Sequence, residues 1–431
     1  MKILIFSQNW FCDEFRAFGH DVRTIGLKNH LEIELPEPFL HIEEVIARFL
    51  DGWIPDIVLI HDDSAPFYVE GFSDLNIPTV YLSVDSHHHS HLHGNFGKIF
   101  DTLLIAQKDF VPEIEAMSDA PVHWMPLWAS QYLEPCPIKE YGAVFVGTLN
   151  PILNPDRCAF FNELQLLTDI TVKSGNWQEI FPKSEIVINQ TVKKDLNFRV
   201  FEAMTSGALL LTERTDNGLF DLFEEGKHLV AYEKGNVQEA AEKIRYYLQH
   251  ASEARKIAAA GRELVLSSHL PHHRAAQLLK LFQEVRCQSD KPRRYSGWLN
   301  NYFGVVTRSK ADSSLLINRA LRKALHTATQ MVEKREHLDE IDACVLVFTC
   351  LLFDLKLFET GGKTLLCAAF PRYPEYPILA LGIIRSCLNC GEVEMARDIA
   401  AMIYPESPEK MYAIAEQVVT ELFQTQLSQF F

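Results

Sequence analysis

The feature that most constrains the fold is a series of short, uninterrupted apolar runs, each ending in polar residues. The first five runs are KILIF, DIVLIHDD, PTVYLSVD, DTLLIAQ and VHWMPL. Parallel strands buried on both faces have this composition, whereas a strand with one solvated face alternates apolar and polar residues. Helical stretches such as HIEEVIARFLDG separate the runs. The alternation predicts β-α units that build a doubly wound parallel sheet over residues 1–133.

The pattern starts again after the Pro-containing connection PCPIKEYG. A fresh strand, AVFVGTLNP, runs into a Gly-polar turn, and the later runs DITVKSG, SEIVINQ and ALLLT alternate with helical stretches. This restart predicts a second α/β domain over residues 134–271. Two such domains in tandem leave a cleft between the carboxyl ends of their strands.

The remainder of the chain has a helical pattern and follows the polar linker CQSDKPRRYSGW. Two segments, LFETGGKTLLCAAFPRYP and NCGEVEMARDIAAMIYPESP, superpose at a spacing of 33 residues, with Cys367 on Ala400 and Phe370 on Ile403. Small residues, a bulky partner and then Pro at this period resemble tetratricopeptide helical hairpins, and a plain antiparallel bundle is the alternative. We therefore expect an all-α domain over residues 298–431 that binds a protein or peptide acceptor or self-associates.

Charge and cysteine content exclude several classes of function. The net charge of −16 disfavours a nucleic-acid-binding surface. Apolar runs stay well short of the ~20 residues that a membrane span needs. The nine cysteines are scattered and odd in number, which indicates reduced thiols and a cytoplasmic location.

The segment NQTVKKDLNFRVFEAMTSGALLLTE carries the most specific chemistry. Asn197 can cap a helix that ends at Ser206, with Gly207 supplying the left-handed position that follows. Arg199 and Glu202 are three residues apart and share a face of that helix. An Arg beside a helix N-terminus suits a diphosphate, and a carboxylate one turn later can accept bonds from sugar hydroxyls. The alternative is an Arg–Glu ion pair on the surface.

FEAMTSGALLLT resembles the Glu-Ala-Met-Ala-x-Gly-x-Pro-Val segment of the group 1 glycosyltransferases, whose GT-B fold has two tandem Rossmann-like domains. The following stretches EEGKHLVAY, VQEAAEKI and ARKIAAAGRE also look like that family, most closely like its spore-maturation-type subgroup. The resemblance covers roughly residues 1–288. It implies a return helix, over 272–288, that crosses back onto the first domain.

The resemblance also implies a nucleoside-diphosphate sugar as donor, bound mainly by the second domain, and an acceptor bound by the first. Glu202 matches the second glutamate of the family's Glu-x7-Glu motif, whose usual partner is the donor ribose. The first glutamate is replaced by Lys194, so the family's sugar contacts and stereochemical outcome do not carry over. Lys194, or its neighbour Lys193, is then a candidate for neutralising the leaving diphosphate beside Arg199; a solvated loop is the alternative. Such cations replace a metal in many of these enzymes, so we expect neither a cofactor nor a metal.

Other donor contacts are expected from the first turn and second strand of the second domain. Gly147 and Thr148 let backbone amides approach a phosphate, with Asn150 close by, although a plain tight turn would look the same. Lys173, at the end of DITVKSG, is a further diphosphate candidate. The glycine-rich loop expected after the first strand of the first domain is absent, because SQNW stands there.

The stretch SVDSHHHSHLHGNF places one aspartate before five histidines within seven residues. Asp85 follows a strand, so it is expected at the carboxyl edge of the sheet, where an aspartate-oriented histidine could take a proton from an acceptor hydroxyl. His87 and His88 are the candidates for that base, in a loop that leads into a helix. A metal site built from the alternating His89, His91 and His93 and a merely solvated loop are the alternatives.

Together with these residues, the resemblance implies a hexosyltransferase-like, metal-independent glycosyltransferase acting on a hydroxyl of a protein, peptide or glycan. A catalytically degenerate scaffold that recruits a partner through its helical repeats is the main alternative, because the glycine loop is absent and Lys194 departs from the motif. A metal-dependent hydrolase using the histidine stretch is a third possibility.

Overall fold

Strand β1 (Lys2–Phe6) shows why the apolar runs are uninterrupted. Leu4 and Phe6 pack into one hydrophobic core, while Ile3 and Ile5 pack into another. Because successive side chains of a strand point to opposite faces, a strand covered on both faces must be apolar throughout. The computed structural model describes residues 1–288, 291–310, 313–410 and 413–415.

The first domain has a seven-stranded, all-parallel sheet in the order β3-β2-β1-β5-β7-β8-β9, and β4 pairs separately with β6. The further strands are β2 (Asp21–Gly26), β3 (Ile33–Glu34), β4 (Leu40–His41), β5 (Ile57–His61), β6 (Val69–Glu70), β7 (Thr79–Ser83), β8 (Thr102–Ile105) and β9 (Val122–Trp124). The helices are α1 (Cys12–Ala17), α2 (Ile42–Phe49), α3 (Ser86–Phe96) and α4 (Val111–Met117).

The second domain has a five-stranded parallel sheet in the order β11-β10-β12-β13-β14. Its strands are β10 (Tyr141–Val146), β11 (Thr171–Lys173), β12 (Ser184–Asn189), β13 (Leu209–Glu213) and β14 (Val230–Tyr232). Its helices are α5 (Pro155–Leu167), α6 (Trp177–Ile180), α7 (Phe198–Thr205), α8 (Leu219–Leu222), α9 (Val237–Gln249) and α10 (Ala251–Ser268). The predicted α/β class with two tandem Rossmann-like domains is therefore confirmed.

Helices complete the described chain. They are α11 (Pro271–Phe282), α12 (Arg294–Arg308), α13 (Ser314–Lys334), α14 (Glu340–Leu357), α15 (Gly361–Ala369), α16 (Pro377–Asn389) and α17 (Val393–Ile403). We refer to α12–α17 as the helical region. Within it, α14 packs on α15 and α16 on α17. The tetratricopeptide-like repeat remains a prediction, and the expected all-α domain extends into residues 416–431, which lie outside the described residues.

The helical region and the first domain share one hydrophobic core. Leu4 and Phe96 of the first domain belong to the same cluster as Leu299 of α12 and Leu346 of α14. Helix α11 packs on the other face of the first sheet, where Phe282 contacts the ring of Phe15. The first sheet is therefore covered on one face by the helical region and on the other by α11 and the second domain.

Buried polar contacts join the same two regions. Lys98 of the first domain forms a 3.0 Å ion pair with Asp342 of α14, and both side chains are almost fully buried. Asp101 forms a second buried ion pair, 2.6 Å long, with Lys291 just before α12. Each charge is thus neutralised where solvent cannot screen it, which makes either pair costly to break from one side.

One helix boundary differs from the sequence-based expectation. The helix expected to return over 272–288 ends at Phe282, because the chain then extends so that the Gln288 amide donates to Asp101. Helices α9 and α10 meet at His250, whose backbone is not helical. Among the described residues, no helix combines the length and apolar character needed to cross a membrane.

Candidate functional site

The two domains meet where loops after their parallel strands face each other. Trp10, which follows β1, lies 6.5 Å between ring centroids from Phe198 at the start of α7. The charge of Lys193, in the loop after β12, lowers the pKa of both His87 and His88 at the start of α3. We call this region the cleft; its walls are residues 84–88 of the first domain and residues 191–199 of the second.

Gln107 closes one side of the cleft with hydrogen bonds that span the two domains. Its side-chain amide donates to the carbonyls of Val84 and Leu196 at 3.2 and 3.3 Å. Its side-chain oxygen accepts from the Leu196 amide at 2.9 Å and from the Asn217 side chain at 2.5 Å. Gln107 is buried. Sequence reasoning missed it, because a lone glutamine after a strand gives no signal of a contact 89 residues away.

Arg199 lies on the first turn of α7 with its guanidinium against the end of β10. Nε donates to the Val146 carbonyl at 3.1 Å, and Nη1 donates to Asn189 at 2.8 Å. Among the described residues, none accepts a hydrogen bond from Nη2. A Cβ added to Gly147 would come within 2.8 Å of that nitrogen, so glycine is needed for the close approach. Burial lowers the pKa of Arg199 to about 10, which leaves it cationic at neutral pH.

A second arginine, which the sequence analysis did not assign to the site, lies close by. Arg157 of α5 is buried and donates from Nε and Nη2 to the side chain and carbonyl of Gln190, both at 2.9 Å. Its guanidinium lies 5.7 Å from the ring centroid of Phe145, and that of Arg199 lies 4.8 Å from the same ring. Positive charge is thus concentrated at the carboxyl ends of β10 and β12. The only sequence signal was an arginine in the first turn of the first helix of this domain.

Glu202 is not paired with Arg199. Its Oε1 accepts a 2.7 Å hydrogen bond from the exposed Ser130, in the segment between the two domains. Burial raises the pKa of Glu202, while Ser130 and the charge of Arg199 lower it. The surface ion pair considered as an alternative is therefore absent, and the carboxylate lies beside a hydroxyl at the edge of the buried region.

The loop before α7 differs in one respect from the sequence-based expectation. Asn197 occupies the N-cap position, but its side chain makes no cap hydrogen bond, and its Oδ1 is buried without a partner. Asn197 also hydrogen-bonds Asp195; burial raises the pKa of Asp195, and this bond offsets part of the rise. Lys194 has a positive φ of 65° and an exposed side chain, and its carbonyl accepts from Thr215 at 2.8 Å. The left-handed Gly207 follows α7 as expected.

The remaining candidates for donor binding differ in exposure and in the hydrogen bonds that they already make. The Gly147 amide donates to the Lys173 carbonyl at 3.0 Å, and Thr148 beside it is exposed. The Asn150 Oδ1 accepts from the amides of Ile152 and Leu153, so its side chain shapes this loop. Lys173 Nζ donates to the Tyr141 hydroxyl at 2.8 Å and lies 4.4 Å from that ring centroid, so this ammonium is already engaged within its own sheet.

The histidine stretch is helix, not loop: α3 begins at Ser86, directly after Asp85. His87 and His88 form its first turn, with ring centroids 4.1 Å apart. Burial lowers the pKa of His87 to about 4, with Asp85 raising it and Lys193 lowering it. The His87 Nδ1 is buried and has no hydrogen-bond partner. His88 is half-buried, and burial, His87 and Lys193 lower its pKa.

The other three histidines do not form a metal site. His93 is fully buried and its Nδ1 lies 2.7 Å from the Ser83 hydroxyl. His91 Nε2 lies 3.1 Å from Asn300 of α12, and His89 accepts from Arg308 of the same helix. A helix with a kink at His89 turns these rings in different directions, whereas an extended strand would have aligned them. In the part of the chain that is described, no group of three or more candidate metal ligands occurs.

Asp85 belongs to a pair of carboxylates at the edge of the first sheet. Its Oδ2 accepts from the Ser64 hydroxyl at 2.5 Å, and its amide donates to the buried Asp62 at 2.9 Å. Asp62 also accepts from the amides of Ser64 and Val84, so it fixes the loops after β5 and β7 against each other. These hydrogen bonds therefore hold Asp85 at the edge of the sheet, beside His87.

Four polar atoms around the cleft are buried and have no hydrogen-bond partner in the described part of the chain: His61 Nε2, Ser86 Oγ, His87 Nδ1 and Asn197 Oδ1. Most buried polar atoms in folded proteins are hydrogen-bonded, so such exceptions indicate a place where a ligand or water completes the site. Beside them lies an aromatic cluster in which Trp10 is 5.4 Å from Trp128 between ring centroids. The cleft thus combines cations on one wall, titratable groups on the other and unsatisfied polar atoms near both.

Comparison with known proteins concerns mainly the second domain. Residues 168–280 match the family model described as Glycosyl transferase-like. Among curated proteins, none matches the chain. HepE of Anabaena, solved with UDP and glucose, is 12% identical, with 66% of this chain and 100% of that chain covered and a TM-score of 0.49.

Sucrose-phosphate synthase of Thermosynechococcus elongatus is 11% identical, with 66% and 98% covered and a TM-score of 0.47. TarM of S. aureus is 13% identical, with a TM-score of 0.41; the alignment covers 54% of this chain and only 57% of that chain. The span of the family match, residues 168–280, includes Arg199 and Glu202. Residues 168–280 of this chain are therefore similar to the Glycosyl transferase-like family.

Proposed function

We propose that this protein is a glycosyltransferase that moves a sugar from a nucleoside-diphosphate sugar to a hydroxyl acceptor. The observation that carries the proposal is Nη2 of Arg199, which lies beside Gly147 without an acceptor among the described residues. Arginine N–H groups at a half-buried, cation-rich site suit phosphate oxygens. Arg157 and the loop that carries Lys193 and Lys194 add positive charge nearby.

The second domain would stabilise the leaving group. When the bond between the sugar and the diphosphate breaks, negative charge grows on the diphosphate oxygens. Arg199, with Lys194, would offset that charge without reorganising, which is the largest electrostatic contribution available in such a site. Glu202 would accept hydroxyl protons of the donor ribose in hydrogen bonds, in place of its present bond from Ser130.

The first domain would activate the acceptor. As the acceptor oxygen bonds to the sugar carbon, its proton passes to a base, and the unpartnered Nδ1 of His87 is the candidate. A pKa of about 4 keeps His87 neutral at pH 7, although it makes the imidazole a weak base. The negative charge of a bound diphosphate would raise that pKa towards neutrality. Asp85 orients this end of α3, and His88 is the second candidate.

Two finer features also belong to the proposal. We expect transfer to proceed without a divalent metal, because the cations of the second domain neutralise the leaving group, and a chelator should leave the rate unchanged. The acceptor hydroxyl is expected on a protein, peptide or glycan. The scaffold alternative is not favoured, since Arg199 and Glu202 both occupy positions suited to a donor.

Calorimetric titration with UDP, GDP and dTDP tests the donor site. Arg199→Met should weaken binding of the preferred diphosphate about 10- to 100-fold, the value of one or two charged hydrogen bonds. Arg255→Met is the matched control, because Arg255 pairs with Glu185 on the surface at 3.2 Å. Equal affinities in the two variants would contradict the assignment.

A ribose-specific titration tests Glu202 separately. Wild-type protein should bind a ribonucleoside diphosphate more tightly than its 2′-deoxy analogue, and Glu202→Gln should reduce that preference. An unchanged preference would exclude Glu202 from ribose binding, while the phosphate contacts of Arg199 would stand.

A further inference from the structure

Helix α12 of the helical region lies along α3, the helix that carries the histidines. Asn300 contacts His91 on the middle of α3, and its Nδ2 also donates to Asp342. Arg308, the last residue of α12, contacts Ser64 and His89, which lie next to the first-domain wall of the cleft. The helical region thus contacts residues that adjoin the candidate acceptor site and does not only cover the sheet.

Arg308 joins the loop after β5 to the helix that carries the candidate catalytic histidines. Its Nη2 contacts the Nδ1 of His89, and its Nη1 donates to the Ser64 carbonyl at 3.3 Å. The Ser64 hydroxyl in turn donates to Asp85 at 2.5 Å. One guanidinium therefore links the loop after β5 to the start of α3.

The contact with His89 coincides with a break in α3. His89 has φ −136° and ψ 29°, which is not helical, so the turn of His87 and His88 is offset from the rest of the helix. Burial lowers the pKa of His89 to about 3, so its ring is neutral and its Nδ1 accepts the bond from Arg308. Because this hydrogen bond lies at the break, a small shift of His89 would rotate the preceding turn and, with it, the rings of His87 and His88.

We propose that Arg308 is a positioning residue of the acceptor site, through which the helical region holds the His87–His88 turn and Asp85 in their working geometry. This inference rests on the proposed function. Arg308 acts through Ser64 and His89 and makes no step of the reaction itself. Misplacing a catalytic group by about 1 Å can cost about 100-fold in rate, so loss of this link should affect transfer more than donor binding.

The test compares Arg308→Met with Arg319→Met. Arg319 also joins the helical region to the first domain, through Glu37 at 3.0 Å and the Pro38 carbonyl, but outside the cleft. Arg308→Met should lower kcat for transfer about 10-fold or more, with the Kd for the nucleoside diphosphate within about twofold of wild type. Arg308→Lys should recover part of the rate, and guanidinium ion should partly rescue Arg308→Gly. Arg319→Met should change neither quantity.

Wild-type kcat in Arg308→Met, or a loss that neither lysine nor guanidinium restores, would overturn the inference. Failure of wild-type protein to bind any nucleoside diphosphate would instead contradict the proposed function. In that case the ¹⁵N signals of the His89 ring still test the positioning. Wild-type His89 should be the Nε2–H tautomer, because Nδ1 accepts from Arg308, and Arg308→Met should give a tautomer mixture. An unchanged signal would exclude the role.

Discussion

Replacing Gln107 by leucine should weaken the contact between the two α/β domains without creating a cavity in either hydrophobic core. Leucine retains the apolar stem but removes both amide atoms. The Leu196 amide, in a fully buried residue, loses its 2.9 Å acceptor, and the carbonyls of Val84 and Leu196 lose weaker bonds. Asn217 keeps a bond to the Lys194 carbonyl. A buried group left unpaired costs about 1–3 kcal/mol, so we expect a total loss of about 2–4 kcal/mol.

Urea unfolding measures the loss of stability, and hydrogen exchange of the Leu196 amide locates it. A local loss of 2 kcal/mol corresponds to about 30-fold faster exchange at that amide. Gln190→Leu is the matched control, because Gln190 is also buried and accepts a 2.9 Å bond, but from Arg157 within the second domain. Gln190→Leu should lower stability without changing exchange at Leu196. If Gln107→Leu leaves both stability and exchange at wild-type values, the interdomain bridge does not hold the cleft closed.

Three further changes test other parts of the structure. Gly147→Ala should weaken diphosphate binding, because the new Cβ would displace Arg199, and calorimetry with unchanged affinity would contradict the close approach. Asp342→Asn should destabilise the protein by up to about 3 kcal/mol in urea, since it leaves the buried Lys98 with only the partly exposed Asp339, 3.7 Å away, as a counter-charge. Lys98→Met in the same chain should restore part of that loss, and no restoration would contradict the coupling of the pair. Burial lowers the pKa of His61 from 6.5 to about 3. Below pH 6.5 the unfolded chain therefore binds a proton at His61 that the folded protein does not bind, and the free energy of unfolding falls as the pH falls. His61→Gln should remove about 1.4 kcal/mol per pH unit from that slope between pH 6 and 4, and an equal slope in both proteins would refute it.

The sheets could be predicted from the sequence because their constraint is local. The central strands of the two sheets need apolar residues on both faces, and that demand is visible in five consecutive letters such as KILIF. The end of helix α7 was predictable for the same reason: the left-handed Gly207 follows it. Such features depend on neighbours in the chain.

The partners of polar side chains were not predictable, because they depend on contacts distant in sequence. Asn197 has the residue type of a cap, yet its side chain makes no cap bond. Alternating His89, His91 and His93 left a shared metal site open as an alternative, but the kinked helix sends His93 to the core and His91 to α12. Gln107 gave no signal at all. Spacing restricts which side chains share a face, and tertiary packing then determines what each one contacts.

The polar linker before α12 suggested a boundary between domains that the structure does not have. A polar stretch with Pro and Gly is typical of a boundary between independent domains. Here Lys291 of that stretch is buried against Asp101, and α12 continues the core of the first sheet. A sheet with an apolar face needs a cover, and in the first domain α12 and its neighbours supply it. The helical region therefore packs as part of the first domain, which is why Arg308 can reach residues beside the cleft.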